Sequence, residues 1–244
     1  PVMLIVLSLS RRGKLIYLFR QMGWIGLAAG IFLGLANTTV ILAISHTTVA
    51  NALFTLSACP LITAILARIF LGEIISRPTL VAIVIAMLGI SIMVADGLSS
   101  GSPIGNFIAL ACALFFSLFV ICLRYGKERD MLPASVIGGL VGMIIGLIGS
   151  NFNYSFSVLD FTICFFWGGI IVTAVHFLFV VGSRYVPSAE IMLLTLIEFT
   201  LGPIWVWWIY GEQPTSMALI GGLLVLASVT GRSIFLMKQD KLNH

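Results

Sequence analysis

Apolar residues run along this chain in long unbroken blocks, not in the alternation of a half-buried strand or the narrow stripe of an amphipathic helix. Eight blocks approach or exceed the length of a membrane span: Trp24–Ile44, Thr47–Phe70, Pro78–Ala95, Ile104–Leu123, Ala134–Ser150, Phe161–Ser183, Ala189–Tyr210 and Ser216–Met237. Spanning helices need about 20 residues, and in lipid the backbone must satisfy its own hydrogen bonds. The pattern therefore predicts eight transmembrane helices joined by short polar turns. Ser76, Ser102, Ser188 and Thr215 stand where they can cap the helices that follow. Pro78, Pro103 and Pro133 fall in or near first turns, where a missing N–H costs little. A ninth block, Pro1–Ser10, has half the needed length, and its basic neighbours Arg11, Arg12 and Lys14 follow it. A signal peptide has the reverse order. The block reads as the end of a helix, in a chain that begins partway through.

The basic residues give the expected orientation. With the connections numbered alternately and Arg11–Gln21 placed in the cytoplasm, all 13 Lys and Arg fall in or beside cytoplasmic helix ends. The opposite connections, Ser45-His46, Asp96–Pro103, Asn151–Asp160 and Gly211–Thr215, hold none. Such a bias is what the positive-inside rule predicts, and a miscounted span would have scrambled it. The C-terminal tail, 238–244, then lies in the cytoplasm.

Composition narrows the class. The chain of 244 residues is 60% hydrophobic and 9% charged, and its mean hydropathy is +1.15. A soluble domain carries about 25% charged residues. The net charge of +4 reflects anchors at helix ends, so no nucleic-acid partner is expected. Cys59, Cys112, Cys122 and Cys164 all lie inside apolar blocks without CxxC spacing and read as small packing residues. Neither a metal nor a cofactor is expected, and the chain holds no HExxH, Walker or GxGxxG pattern. The expectation is a protein that is not an enzyme.

A shift of 139 residues aligns the two halves. Residues 24–94 and 163–233 then share seven identities, among them Ala50/Ala189, Gly72/Gly211 and Glu73/Glu212. The paired segments Thr47–Glu73 and Val186–Glu212 cross in opposite directions in the expected topology. Inverted repeats are a recurrent transporter design.

Intramembrane acids are the candidate chemistry. Glu198 lies nine residues into its span, about 13 Å deep at 1.5 Å per residue. A charge there costs about 2.5–3.5 kcal/mol on the lenient insertion scale. Glu198 is expected to face the bundle interior, as a substrate-binding or proton-exchanging carboxyl or as an interhelical hydrogen-bond partner. His176 lies at similar depth on the preceding span, and Asn37 is its repeat equivalent. The imidazole reads either as a polar contact for substrate or as a buried histidine bonded to a carbonyl. Glu190, whose repeat equivalent is Asn51, fits the first turn of its helix, where the dipole favours a carboxylate; Glu190 and Glu198 differ by about 80° around the helix. Glu73 and Glu212 are expected to work as helix-end structure, and Pro60 and Pro203 to kink their spans. Gly26-Gly30-Gly34 and Gly138-Gly142-Gly146 read as close-packing strips. Trp205, Trp207 and Trp208 read as an interfacial belt.

The stretch SAEIMLLTLIEFTLGPIWVWWIYGEQPT, from Ser188, together with TTVANALFTLSACPLITAILARIFLGE, from Thr47, resembles the EamA-type transporters of the drug/metabolite transporter superfamily. Glu190, Glu198, Gly211 and Glu212 carry the resemblance. Phe199 departs from it, since many members have proline at that position. The resemblance implies an all-α polytopic membrane protein, a ten-helix bundle of two inverted five-helix repeats, with the first helix and part of the second missing here. The repeats would cover 1–97 and 103–237. It further implies a small organic solute as partner, a bacterial inner-membrane location, and transport by alternating access. Coupling to a proton or ion gradient and a homodimer are left open. A non-transporting scaffold or sensor is the competing reading.

Overall fold

The computed structural model describes residues 2–10, 15–47, 49–93, 102–150, 157–210 and 216–242. Among these there is no strand. The helices are α1 Val2–Ser10, α2 Leu15–His46, α3 Val49–Leu56, α4 Cys59–Phe70, α5 Arg77–Met93, α6 Pro103–Tyr125, α7 Pro133–Gly149, α8 Val158–Cys164, α9 Val172–Gly182, α10 Ser188–Tyr210 and α11 Ser216–Leu242. Within the described residues, each apolar block of the sequence falls on a helix or on consecutive helices. Leu15–His46, Asn51–Phe70, Pro103–Tyr125 and Val158–Gly182 are long and apolar enough to cross a membrane. The protein is an all-α polytopic membrane protein. Large apolar side chains such as Trp24, Leu88, Phe107, Trp167 and Leu178 stay more than half exposed, because hydrocarbon, unlike water, does not drive them inward.

Three helices depart from a plain rod. Gly23 interrupts α2 with φ 63° and ψ −165°, a backbone region open almost only to glycine. The polar connection expected up to Gln21 is thus helical from Leu15, and Gly23 breaks it from the spanning part. The second break separates α3 from α4 at Ser57-Ala58. Pro60 stands in the first turn of α4, where it has no N–H to give. The chain turns tightly there, with the Ser57 N–H on the Leu53 carbonyl at 2.9 Å and the Ala58 N–H on Thr55 at 3.2 Å. The third is a π-helical stretch, Phe165–Ile171, between α8 and α9. α10 continues through Pro203 to Tyr210. Glu212 and Thr215 lie outside the described residues.

The chain packs as two compact units, Pro1–Thr38 with Leu118–Pro187, and Thr39–Ser117 with Ser188–His244. Each unit draws segments from both halves of the sequence. In the first, α2 and α7 approach through glycine. A Cβ on Gly30 would stand 2.7 Å from the Ala134 carbonyl oxygen, and one on Gly34 2.8 Å from that of Gly138. Gly138 itself meets Leu33, but Gly142 and Gly146 have open space around them. Only part of the second glycine strip is therefore used for close packing, because α7 leans on α2 near its start. Phe119 and Phe179 stack with ring centroids 6.1 Å apart. Cys164 is exposed on α8, unlike the packed residue expected from sequence, because most of that helix's surface is uncovered.

In the second unit, Ala64, Ile83, Ala86, Ile90, Leu193 and Val225 form a buried core joining α4, α5, α10 and α11. Gly89 of α5 and Gly221 of α11 set the closest approach. A Cβ on Gly89 would lie 2.7 Å from the Gly221 carbonyl oxygen.

Candidate functional site

The second unit concentrates its polar groups where α5, α10 and α11 meet. Arg232, on α11, is buried. Its Nε donates to Thr79 Oγ1 at 2.7 Å, and its Nη2 donates to Glu190 Oε1 in a charge-assisted bond. Thr79 Oγ1 donates in turn to the same Glu190 oxygen at 3.2 Å. Ser76 Oγ caps α5 by accepting from the Thr79 N–H at 3.3 Å. Glu190 is thus held in a buried network that ties three helices, and one of the guanidinium nitrogens, Nη1, has no hydrogen-bond partner among the described residues. Glu73 Oε2 accepts from the Ser188 backbone N–H at 3.2 Å. The acid that ends the α4 segment therefore caps the start of α10, a role expected of the Ser188 hydroxyl, which is buried without a partner among the described residues.

Two further polar groups lie in this unit. Asn51 is buried and donates to Thr47 Oγ1 at 3.3 Å, while Thr47 donates to Asn106 Oδ1 at 3.0 Å. At the α3–α4 break, Ser117 Oγ lies 2.7 Å from the Ala113 carbonyl and 3.4 Å from that of Cys59. A broken spanning helix leaves carbonyls that need partners, and α6 supplies this hydroxyl. Glu198 lies midway along α10 and is exposed. The unit can therefore hold a charge pair at one level and offer a carboxylate at another.

The first unit carries the other candidates. Asn37 is exposed on α2 and His176 is half-buried on α9. The His176 ring hydrogen-bonds the Val172 backbone one turn earlier. A second polar group, missed by the sequence reading, joins the turns of this unit. Arg124 Nη1 donates to the Arg184 carbonyl at 2.9 Å. Arg184 Nη2 donates to the Arg129 carbonyl at 3.1 Å and lies 3.5 Å from Asp130 Oδ1. Asp130 Oδ1 also accepts from the Leu132 N–H at 3.3 Å. Arg129, Asp130 and Arg184 border a cleft of about 320 Å³. The run RYGKERD carries the only available signal for it, since its charges cannot all reach bulk water at a tight turn. Among the described residues, no three His, Cys, Asp or Glu side chains are grouped to hold a metal ion.

Long apolar helices, charges gathered at helix ends and one carboxylate at midspan define a multi-pass membrane protein. Residues 1–95 match the EamA-like transporter family. The chain is 26% identical over 220 residues to the "Uncharacterized transporter YdfC" of Bacillus subtilis, covering 86% of this chain and 72% of that one. It is 28% identical over 223 residues to an "Uncharacterized transporter" of Archaeoglobus fulgidus, covering 84% and 74%. A solved crystal structure shares the fold with a TM-score of 0.80 at 15% identity, covering 95% of this chain and 82% of that one. The resemblance to the EamA-type transporters thus has independent support, and the matches support a membrane transporter.

Proposed function

We propose that this protein is a secondary transporter that moves a small organic metabolite or drug-like solute across the cytoplasmic membrane by alternating access. The observation that carries the reading is Glu198, exposed about 15 Å along α10 from Ser188 at 1.5 Å per residue. A carboxylate left against lipid tails at that depth is costly, so its exposure fits a water-filled path. The broken α3–α4 helix supports the same reading, since transporter sites use discontinuous helices near the midplane. Asn37 and His176 of the first unit, and Asn51 and Glu190 of the second, are the further candidate contacts. Glu190 and Asn51 already have partners, so they serve best by holding helices in place. The inverted repeats 1–97 and 103–237 supply the two halves whose exchange of conformation alternates access, with the C-terminus in the cytoplasm.

The test compares metabolites inside and outside cells making wild-type protein, Glu198→Gln or no protein. A solute redistributed by wild type and not by the variant is the expected result. Redistribution by both would remove Glu198 from the mechanism. No redistribution, with folded protein in the membrane, would favour the scaffold or sensor reading.

A further inference from the structure

The cleft in the first unit takes no part in the proposed path, yet it has the makings of a ligand site. Its volume of about 320 Å³ lies at the small end of the range for small-molecule pockets. The start of α2 forms one wall with Tyr17 and Gln21, and the α6–α7 turn forms another with Glu128, Arg129 and Asp130. Arg184, at the α9–α10 turn, completes it.

The charges are balanced and unequal in availability. Asp130 is buried and spent on the Leu132 N–H and on Arg184. Arg184 is partly spent as well, and its Nε is buried without a partner among the described residues. Glu128 and Arg129 are exposed, and neither side chain has a hydrogen-bond partner among the described residues. The Arg129 guanidinium comes against the α2 kink, since a Cβ on Gly23 would stand 2.7 Å from its Nη1. The glycine thus makes room for this cation at the cleft wall. One uncommitted cation and one uncommitted carboxylate, adjacent in sequence, fit a ligand that carries both charges. A simple anion would meet two carboxylates, and a simple cation two guanidinium groups. Guanidinium groups bind phosphate or carboxylate in a forked geometry, and phosphate is the anion that lipid headgroups present at the helix ends of a membrane protein. The opposite charge is best met by a primary ammonium, because quaternary ammonium ions are held by aromatic cages and Tyr17 is the only aromatic residue lining the cleft among the described residues.

We propose that this cleft binds a phosphoethanolamine group, with the phosphate on Arg129 and Arg184 and the ammonium on Glu128. Two sources share this chemistry: the headgroup of a membrane phospholipid, whose level these helix ends share, and a soluble phosphoethanolamine. The site does not depend on the transport reading.

The experiment is native mass spectrometry of the purified full chain in detergent, titrated with phosphatidylethanolamine, phosphatidylcholine and phosphatidylglycerol of matched acyl chains. Retention of phosphatidylethanolamine about fivefold or more above the other two is expected, the scale of one exposed charged contact. Glu128→Gln should bring phosphatidylethanolamine down to the level of phosphatidylcholine. Arg129→Gln should weaken phosphatidylethanolamine and phosphatidylglycerol alike. Displacement of the lipid by soluble phosphoethanolamine would make the soluble compound a sufficient ligand; failure to displace it would make the lipid the ligand. Equal retention of the three lipids, or an unchanged preference in both variants, would overturn the proposal. Both positions are exposed, so a melting temperature equal to wild type separates a lost site from a lost fold.

Discussion

Replacing Arg232 with methionine removes the cation from the buried network and leaves Glu190 facing Thr79 alone. The Arg232 and Glu190 side chains are only 6% and 14% exposed. Removing one partner of a buried pair costs about 3–5 kcal/mol, most of it from the charge left behind. For a chain of this size, 1 kcal/mol moves the melting temperature by about 2–4 °C. Arg232→Met should therefore lower it by roughly 6–20 °C. The companion variant Glu190→Leu should cost a similar amount, because it strands the guanidinium. Combined, Glu190→Leu and Arg232→Met strand nothing, and the pair is often replaceable by apolar groups at little cost. The double variant should be more stable than either single one. The assay is thermal unfolding of purified protein in one detergent, read as a double-mutant cycle. Single variants within about 1 kcal/mol of wild type, or a double variant whose loss equals the sum of the two, would refute the pairing.

Other predictions follow from the same geometry. Gly221→Ala should overpack the α5–α11 crossing, where its Cβ would stand 2.7 Å from the Met93 nitrogen, and cost about 1–3 kcal/mol in thermal unfolding. Gly139→Ala, with nothing within 4 Å of its Cβ, should be neutral or stabilise by up to about 1 kcal/mol. Glu73→Ala should lose the cap on the Ser188 N–H and about 1 kcal/mol, seen as faster hydrogen exchange at the start of α10.

The spans were legible because membrane helices declare themselves by unbroken hydrophobicity, which needs no partner to interpret. The same signal is blind to rotation about the helix axis. Glu190 and Arg232 could each be placed at an inner helix end from sequence, but their pairing depends on which way α10 and α11 turn their faces. Gly23 marked a break that the polar connection concealed: LIYLFRQM before it is helical, and its positive φ together with the neighbouring Arg129 explains the need for a residue without a Cβ. The π-helical stretch carried a faint signal in Gly168-Gly169, which loosens the helix without announcing an extra residue per turn. Glycine strips misled in part, because spacing shows where an approach can occur and not where a neighbour lies; Gly34 has one and Gly146 does not. Depth along a helix gave the candidates Glu198 and His176, whereas side-chain partners came only from packing.

The central claim is most directly tested by flux through the protein alone. Purified protein is placed in proteoliposomes and given the solute that cells redistribute, and entry is followed against protein-free vesicles and the Glu198→Gln variant. Saturable entry is expected with wild type, and little with the variant or with lipid alone. Equal entry into protein-free vesicles and vesicles holding folded wild-type protein would contradict it.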